Sequence, residues 1–203
     1  MEVILDGKPF GTALEGDYLT DLLRSLSEKA IAPDRVLREV KINGVPYTEA
    51  EMGPASELSR DRIQHLDVET VATNEVAMHF LANANDYLTA IAASTEKVAE
   101  LFRVNDEQEA NESYLATLES LQLFLQVLHN TRQALNLDLK QAQVEGVSAE
   151  ERLNRLSDLI QEMLSAQEQR DWILLADILQ YDLGQELRDW RTLIPVLREQ
   201  ALS

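Results

Sequence analysis

Apolar residues follow two different spacings along the chain. Up to about residue 72 they come in short alternating runs broken by turn residues. Beyond it they recur at three- and four-residue intervals over long stretches. That later spacing predicts four helices, at about residues 73–104, 106–139, 148–169 and 171–200. Glycine and proline follow the same division: five of the seven glycines and four of the five prolines precede residue 55. These residues punctuate strands and interrupt helices, so a strand-and-turn region precedes a helical one. The fold class is therefore α+β, with domains at residues 1–72 and 73–203.

The first region contains a near-repeat. VILDGKPF (Val3 to Phe10) and VKINGVPY (Val40 to Tyr47) each run from an apolar strand into Asp-Gly or Asn-Gly, then proline and an aromatic residue. Such dipeptides suit tight hairpin turns, which need positive φ at both central residues. Pro9 and Pro46 have no N–H to give a ladder and mark strand ends or edges. Between the two cassettes, Leu19, Leu22, Leu23 and Leu26 predict one helix, capped by Asp17 and ended by Pro33. DRIQHLDVETV alternates as a last strand, with a slip expected near His65.

This order resembles the β-grasp fold, and more narrowly the ubiquitin-like sulfur-carrier proteins of thiamine and molybdopterin synthesis. The resemblance rests on the Asp-Gly turn, the Leu22-Leu23 pair, INGVPY and LSRDRIQHLDVE, and it covers residues 1 to about 71. Those carriers end in Gly-Gly, whose carboxylate receives sulfur. Here Glu69-Thr70-Val71 runs on into a helix, so carrier chemistry does not transfer.

In the helical region, short connections favour antiparallel neighbours and an antiparallel four-helix bundle. Asn105-Asp106 is expected to form the loop and cap before the second helix. Ser148-x-x-Glu151 reads as a capping box, Asp171 caps the fourth helix, and Pro195 should kink or loosen it. Trp172, Ala176, Leu179, Leu183, Leu187, Trp190 and Ile194 form one stripe for the core. Leu174, Ile178 and Tyr181 form a second, nearly opposite stripe. The second helix also has an extra apolar set in Leu123, Phe124 and Val127. A helix apolar on two faces needs cover on two sides. The cover is the N-terminal domain, a second copy of the chain in a homodimer, or another protein. These six residues are the candidate partner-binding positions.

Charge narrows the function. The chain carries 36 acidic and 18 basic residues, a formal net charge of −18. That field repels phosphate, so nucleic acid and anionic membrane surfaces are not expected partners. No cysteine is present, which removes disulfides and thiol chemistry and fits a reducing cytoplasm. MEVILDGK does not read as a signal peptide, and the longest apolar run is the five residues Trp172 to Ala176, too short to span a bilayer.

Catalytic signatures are not found either. The three histidines, His65, His79 and His129, make no HExxH or Glu-x-x-His motif, and the Glu75/His79 spacing reads as a surface pair. There is no phosphate-binding glycine loop or nucleophile elbow. Asp177 and Asp182 are the carboxylates nearest the apolar face. No catalytic residue, metal or cofactor is expected.

The leading expectation is a non-enzymatic, bacterial-type interaction or adaptor protein in the cytoplasm. An alternative is an enzyme or small-ligand-binding protein with an interdomain cleft. A third is a flagellar-export type of chaperone, because NDEQEANESYLATLESLQLFLQVL is similar to the second-helix region of flagellin-export chaperones. The helical half also looks like that of many uncharacterised bacterial proteins.

Overall fold

A computed structural model describes residues 1–104 and 107–203. The expected loop and cap at Asn105-Asp106 lie outside the described residues. The chain divides into two compact units, Met1–Val76 and Ala77–Ser203.

The first unit opens with β1 (Glu2–Leu5) and β2 (Lys8–Pro9), followed by α1 (Leu19–Ala30), β3 (Arg35–Ile42) and β4 (Val45–Pro46). A one-turn α2 (Glu49–Met52) and a 3₁₀ turn at Arg60–Arg62 lead to β5 (His65–Ala72). The five strands form one sheet in the order β2-β1-β5-β3-β4. β1 lies parallel to β5, with Val3 opposite Leu66, and β3 lies antiparallel to β5. Both outer strands return through tight hairpins, at Asp6-Gly7 (φ 49° and 72°) and Asn43-Gly44 (φ 53° and 83°). Asp, Asn and Gly tolerate that left-handed backbone best, which is why these dipeptides turn the chain there. Leu19, Leu22 and Leu26 of α1 pack with Val3, Leu66 and Val68 of the sheet in one buried cluster.

Two local expectations are corrected in this unit. Asp17 does not cap α1. The cap position is Tyr18, whose side chain makes no capping bond, and the first amides are taken up by the chain before the 3₁₀ turn. Leu19 N–H donates to the Leu58 carbonyl at 2.9 Å and Thr20 N–H to the Ala55 carbonyl at 3.2 Å. The last strand starts at His65 rather than Asp61, because Arg60–Arg62 coil into the 3₁₀ turn that buries Ile63.

The second unit is helical: α3 (Thr73–Arg103, its first turn belonging to the first unit), α4 (Glu107–Leu135), α5 (Ala149–Glu168), α6 (Trp172–Asp177) and α7 (Gly184–Ala201). A π-helical turn, Ile178–Leu183, joins α6 to α7. Aromatic pairs set the helix directions. Phe80 meets Phe124 and Phe102 meets Tyr114, so α3 and α4 run antiparallel. Trp172 reaches Glu107 and Trp190 meets Phe124, so the last helix runs parallel to α4. Arg152 and Arg155 of α5 meet Glu186 and Asp182 respectively, so α5 runs antiparallel to the last helix.

α4 stops at Leu135 rather than Leu139. Asn136 takes a left-handed φ of 51°, a common way to end a helix, and Leu137 and Leu139 enter the core from the segment after it. A small hairpin follows, β6 (Gln143–Val144) and β7 (Val147–Ser148), turning at Glu145-Gly146. The capping box then starts α5: the Ser148 hydroxyl oxygen accepts the Glu151 amide at 3.2 Å, and Glu151 Oε2 accepts the Ser148 amide at 2.8 Å. Pro195 lies inside α7.

Candidate protein-interaction face

The face is built on the last helix. Asp171 starts that helix, its Oδ1 accepting the Leu174 amide at 3.0 Å. A straight α-helix that points Leu175 and Leu179 inward would point Asp182 inward one turn later. The π turn adds one residue to that turn, so Leu183 enters the core and Asp182 stays exposed, 3.7 Å from Arg155.

The second apolar stripe is split. Leu174 is 47% exposed and Tyr181 62%, while Ile178, between them in sequence, is 4% exposed and belongs to the core. The neighbouring Ile173 is 60% exposed. The expected stripe on α4 also divides. Leu123 is exposed and Val127 half-buried, but Phe124 is buried, its ring 6.1 Å from Trp190 and 5.8 Å from Phe80. Adjacent positions on a helix point about 100° apart, and here Phe124 turns into the core while Leu123 turns outward. Phe124 and Ile178 are thus packing residues, unlike the surface positions the sequence suggested. Leu123 is also remote from Leu174. The Glu107–Trp172 and Phe124–Trp190 contacts place Leu123 level with Arg188 and Asp189 of α7, about 20 Å along the axis from Leu174 at 1.5 Å per residue.

Ile173, Leu174 and Tyr181 therefore form the exposed apolar set on the last helix. Arg103, the final residue of α3, fixes its far end. Its Nη2 donates to Asp177 Oδ1 at 2.7 Å and its Nη1 to Gln180 Oε1. Its guanidinium carbon lies 5.7 Å from the centre of the Tyr181 ring, in cation–π range. Behind them Phe102 stacks on Trp172, centroids 5.2 Å apart and planes 9° from parallel, and Trp172 Nε1 donates to Glu107 Oε1 at 3.2 Å. Tyr181 is thus an exposed aromatic on a braced backbone.

The histidines have local partners. His65 Nδ1 lies 2.9 Å from Glu2 Oε2, His79 lies beside Asn83, and His129 lies 3.0 Å from Gln133. Among the described residues no three His, Asp or Glu side chains are placed to hold a metal ion. A depression of about 390 Å³ at the end of α4 is lined by His129, Arg132, Gln133, Asn136 and Leu137, mostly exposed side chains of one helix end. Among the described residues no helix is long and apolar enough to cross a membrane.

Sheet, helices and exposed apolar set together define an α+β protein of two compact units whose helical unit presents apolar side chains to solvent. Residues 79–193 match the family described as Domain of unknown function (DUF8042), and the chain belongs to that family. Residues 2–71 match a second, Domain of unknown function (DUF8043). No curated protein and no solved structure gives a significant match.

Proposed function

We propose that the protein is a non-enzymatic interaction module whose helical unit binds a protein partner, or a second copy of itself, through Ile173, Leu174 and Tyr181. The observation that carries this reading is Tyr181: a large aromatic side chain 62% exposed, yet bordered by Arg103. Aromatic anchors on pre-ordered backbone lose little entropy on binding and dominate interface energetics. The chain's net negative charge disfavours wrong partners.

In this reading the first unit is a β-grasp module. Its strand order and its parallel β1–β5 pair support that assignment, and without a Gly-Gly end it is a docking or spacing element rather than a carrier. The aromatic contacts of the second unit support an antiparallel four-helix bundle.

Light scattering across a dilution series, on the wild-type chain and on Leu174→Glu and Tyr181→Ala, tests the reading. A dimer that both substitutions dissociate supports self-association. A monomer that holds a protein partner, and loses it in both variants, supports a separate partner. The reading fails if mass and bound proteins are identical in all three.

A further inference from the structure

Glu186 is the most deeply buried acidic side chain that the helical unit pairs with a cation. It is 4% exposed and sits on α7, facing α5. Its Oε2 accepts Arg152 Nη1 at 3.1 Å, while its Oε1 is buried with no hydrogen-bond partner among the described residues. The same Arg152 nitrogen also donates to Asp189 Oδ2. Asp189 is further served by Gln185 Nε2, 2.8 Å from its other oxygen. One guanidinium nitrogen therefore faces two carboxylates. The more exposed Asp189 has both oxygens satisfied, and the deeply buried Glu186 has only one.

An ionised carboxylate is costly to bury unless it is fully paired, and two carboxylates on one cation repel each other. We propose that Arg152, Glu186 and Asp189 form a proton-responsive clasp between α5 and the last helix, which holds more tightly when Glu186 is protonated. Protonation removes the half-satisfied charge and leaves Arg152 to Asp189 alone. Every charged group near Glu186 enters this balance. Arg152 and Arg155 of α5 favour the ionised form, and Asp189 of its own helix opposes it. The strand β6 that packs on α7 offers Gln143 and Val144, both uncharged, and α4 offers the Phe124 ring beside Trp190. Burial is the largest influence and pushes the Glu186 carboxyl above its ordinary range. The folded state then binds more protons than the unfolded state in the window above that range. Stability accordingly rises as pH falls through the window and is lost again as pH rises.

The test uses the full chain. Urea midpoints are measured from about pH 7.5 to about pH 5 for the wild type, Glu186→Gln and Asp189→Asn, and the Glu186 carboxyl is titrated by its carbon-13 shift, against an ordinary value of about 4.3. The clasp predicts Glu186 titrating above that value, and a Glu186→Gln midpoint above wild type at the high end that converges with it as pH falls. It also predicts a lower Glu186 titration point in Asp189→Asn, because Arg152 then serves Glu186 alone. A purely structural contact would leave that titration point unmoved. Glu186 titrating at or below the ordinary value, or Glu186→Gln tracking the wild type at every pH, overturns the proposal. Should Glu186→Gln not fold, the titrations of the wild type and Asp189→Asn decide it.

Discussion

Asp6 ties the first hairpin turn to the middle of β5: its Oδ1 accepts the Thr70 amide at 2.7 Å and its Oδ2 the Thr70 hydroxyl at 2.8 Å. Arg35 of β3 completes the link, donating from Nε to the same hydroxyl oxygen at 2.7 Å and from Nη2 to the Thr70 carbonyl at 2.9 Å. Three strands are thereby joined at one point. The Thr70 amide and hydroxyl hold the Asp6 carboxyl below its usual range. Asp6→Asn keeps the left-handed turn, which Asn tolerates, and removes the charge. The expected loss at neutral pH is about 1 kcal/mol, after discounting a charge-assisted bond for its solvent exposure. A depressed carboxyl stabilises the fold above its unfolded pKa, and that gain disappears as pH falls through the folded value. Urea unfolding of both proteins should therefore differ near neutrality and converge in acid.

Sequence made some of this legible and hid the rest for identifiable reasons. Asp6-Gly7 and Asn43-Gly44 announce their turns because their side chains favour the backbone that the turn needs. Glu145-Gly146 adopts the same positive φ values, 54° and 81°, without that signal, so the β6–β7 hairpin reads only as a break at Gly146. The Ser148 capping box is legible because all its partners lie within four residues. The uncapped start of α1 is not, since Leu58 and Ala55 act from nearly forty residues away. The exposed positions Leu174 and Tyr181 follow from helical spacing, but Ile178 does not. A stripe drawn through Trp172, Ala176 and Leu179 is too narrow: Leu175 is also buried, and the core face it extends takes in Ile178. Ile173 was hidden inside a continuous apolar run, and Arg103 by its distance in sequence from Tyr181.

Tyr114 is fully buried on α4, its ring edge-on to Phe102 at 6.0 Å, and its hydroxyl has no hydrogen-bond partner among the described residues. Burial pushes its phenol up to about 12. Tyr114→Phe removes the unsatisfied hydroxyl and keeps the ring contact. The variant should be at least as stable as the wild type, by up to about 1 kcal/mol, since an unmade buried bond costs about that much or more. Thermal unfolding at neutral pH checks the direction; a clear loss of stability would mean that the hydroxyl has a partner in solution.

Ser148 serves both the hairpin and α5: in β7 its backbone pairs with Gln143 of β6, and its side chain caps the helix. Ser148→Ala leaves the strand pairing intact and removes the cap. Loss of such a cap costs about 1 kcal/mol. Glu151, now without the Ser148 hydroxyl bond that helps depress its carboxyl, should titrate closer to its ordinary value. Carbon-13 titration of Glu151 separates a lost cap from a general loosening, which would instead broaden many resonances together.

The last pair of residues separates packing from recognition on a single helix. Ile178 and Leu174 stand one turn apart in sequence, yet Ile178 is 4% exposed and Leu174 47%. Ile178→Ala opens a cavity in the helical core and should cost about 2–4 kcal/mol. Leu174→Glu replaces an exposed apolar side chain, and surface changes of this kind fall within about 0.5 kcal/mol. If the face binds a partner, Leu174→Glu should abolish that association with little change in the unfolding midpoint. Ile178→Ala should do the reverse: it should lower the midpoint and, under conditions where it remains folded, keep the association. Urea unfolding and light scattering on the two variants give four readings, and the crossed pattern is the one an interface at Leu174 and Tyr181 requires. Parallel losses of stability and association in both variants would instead make Leu174 a packing residue like Ile178, and the proposed contact face would have to be sought elsewhere on the helical unit.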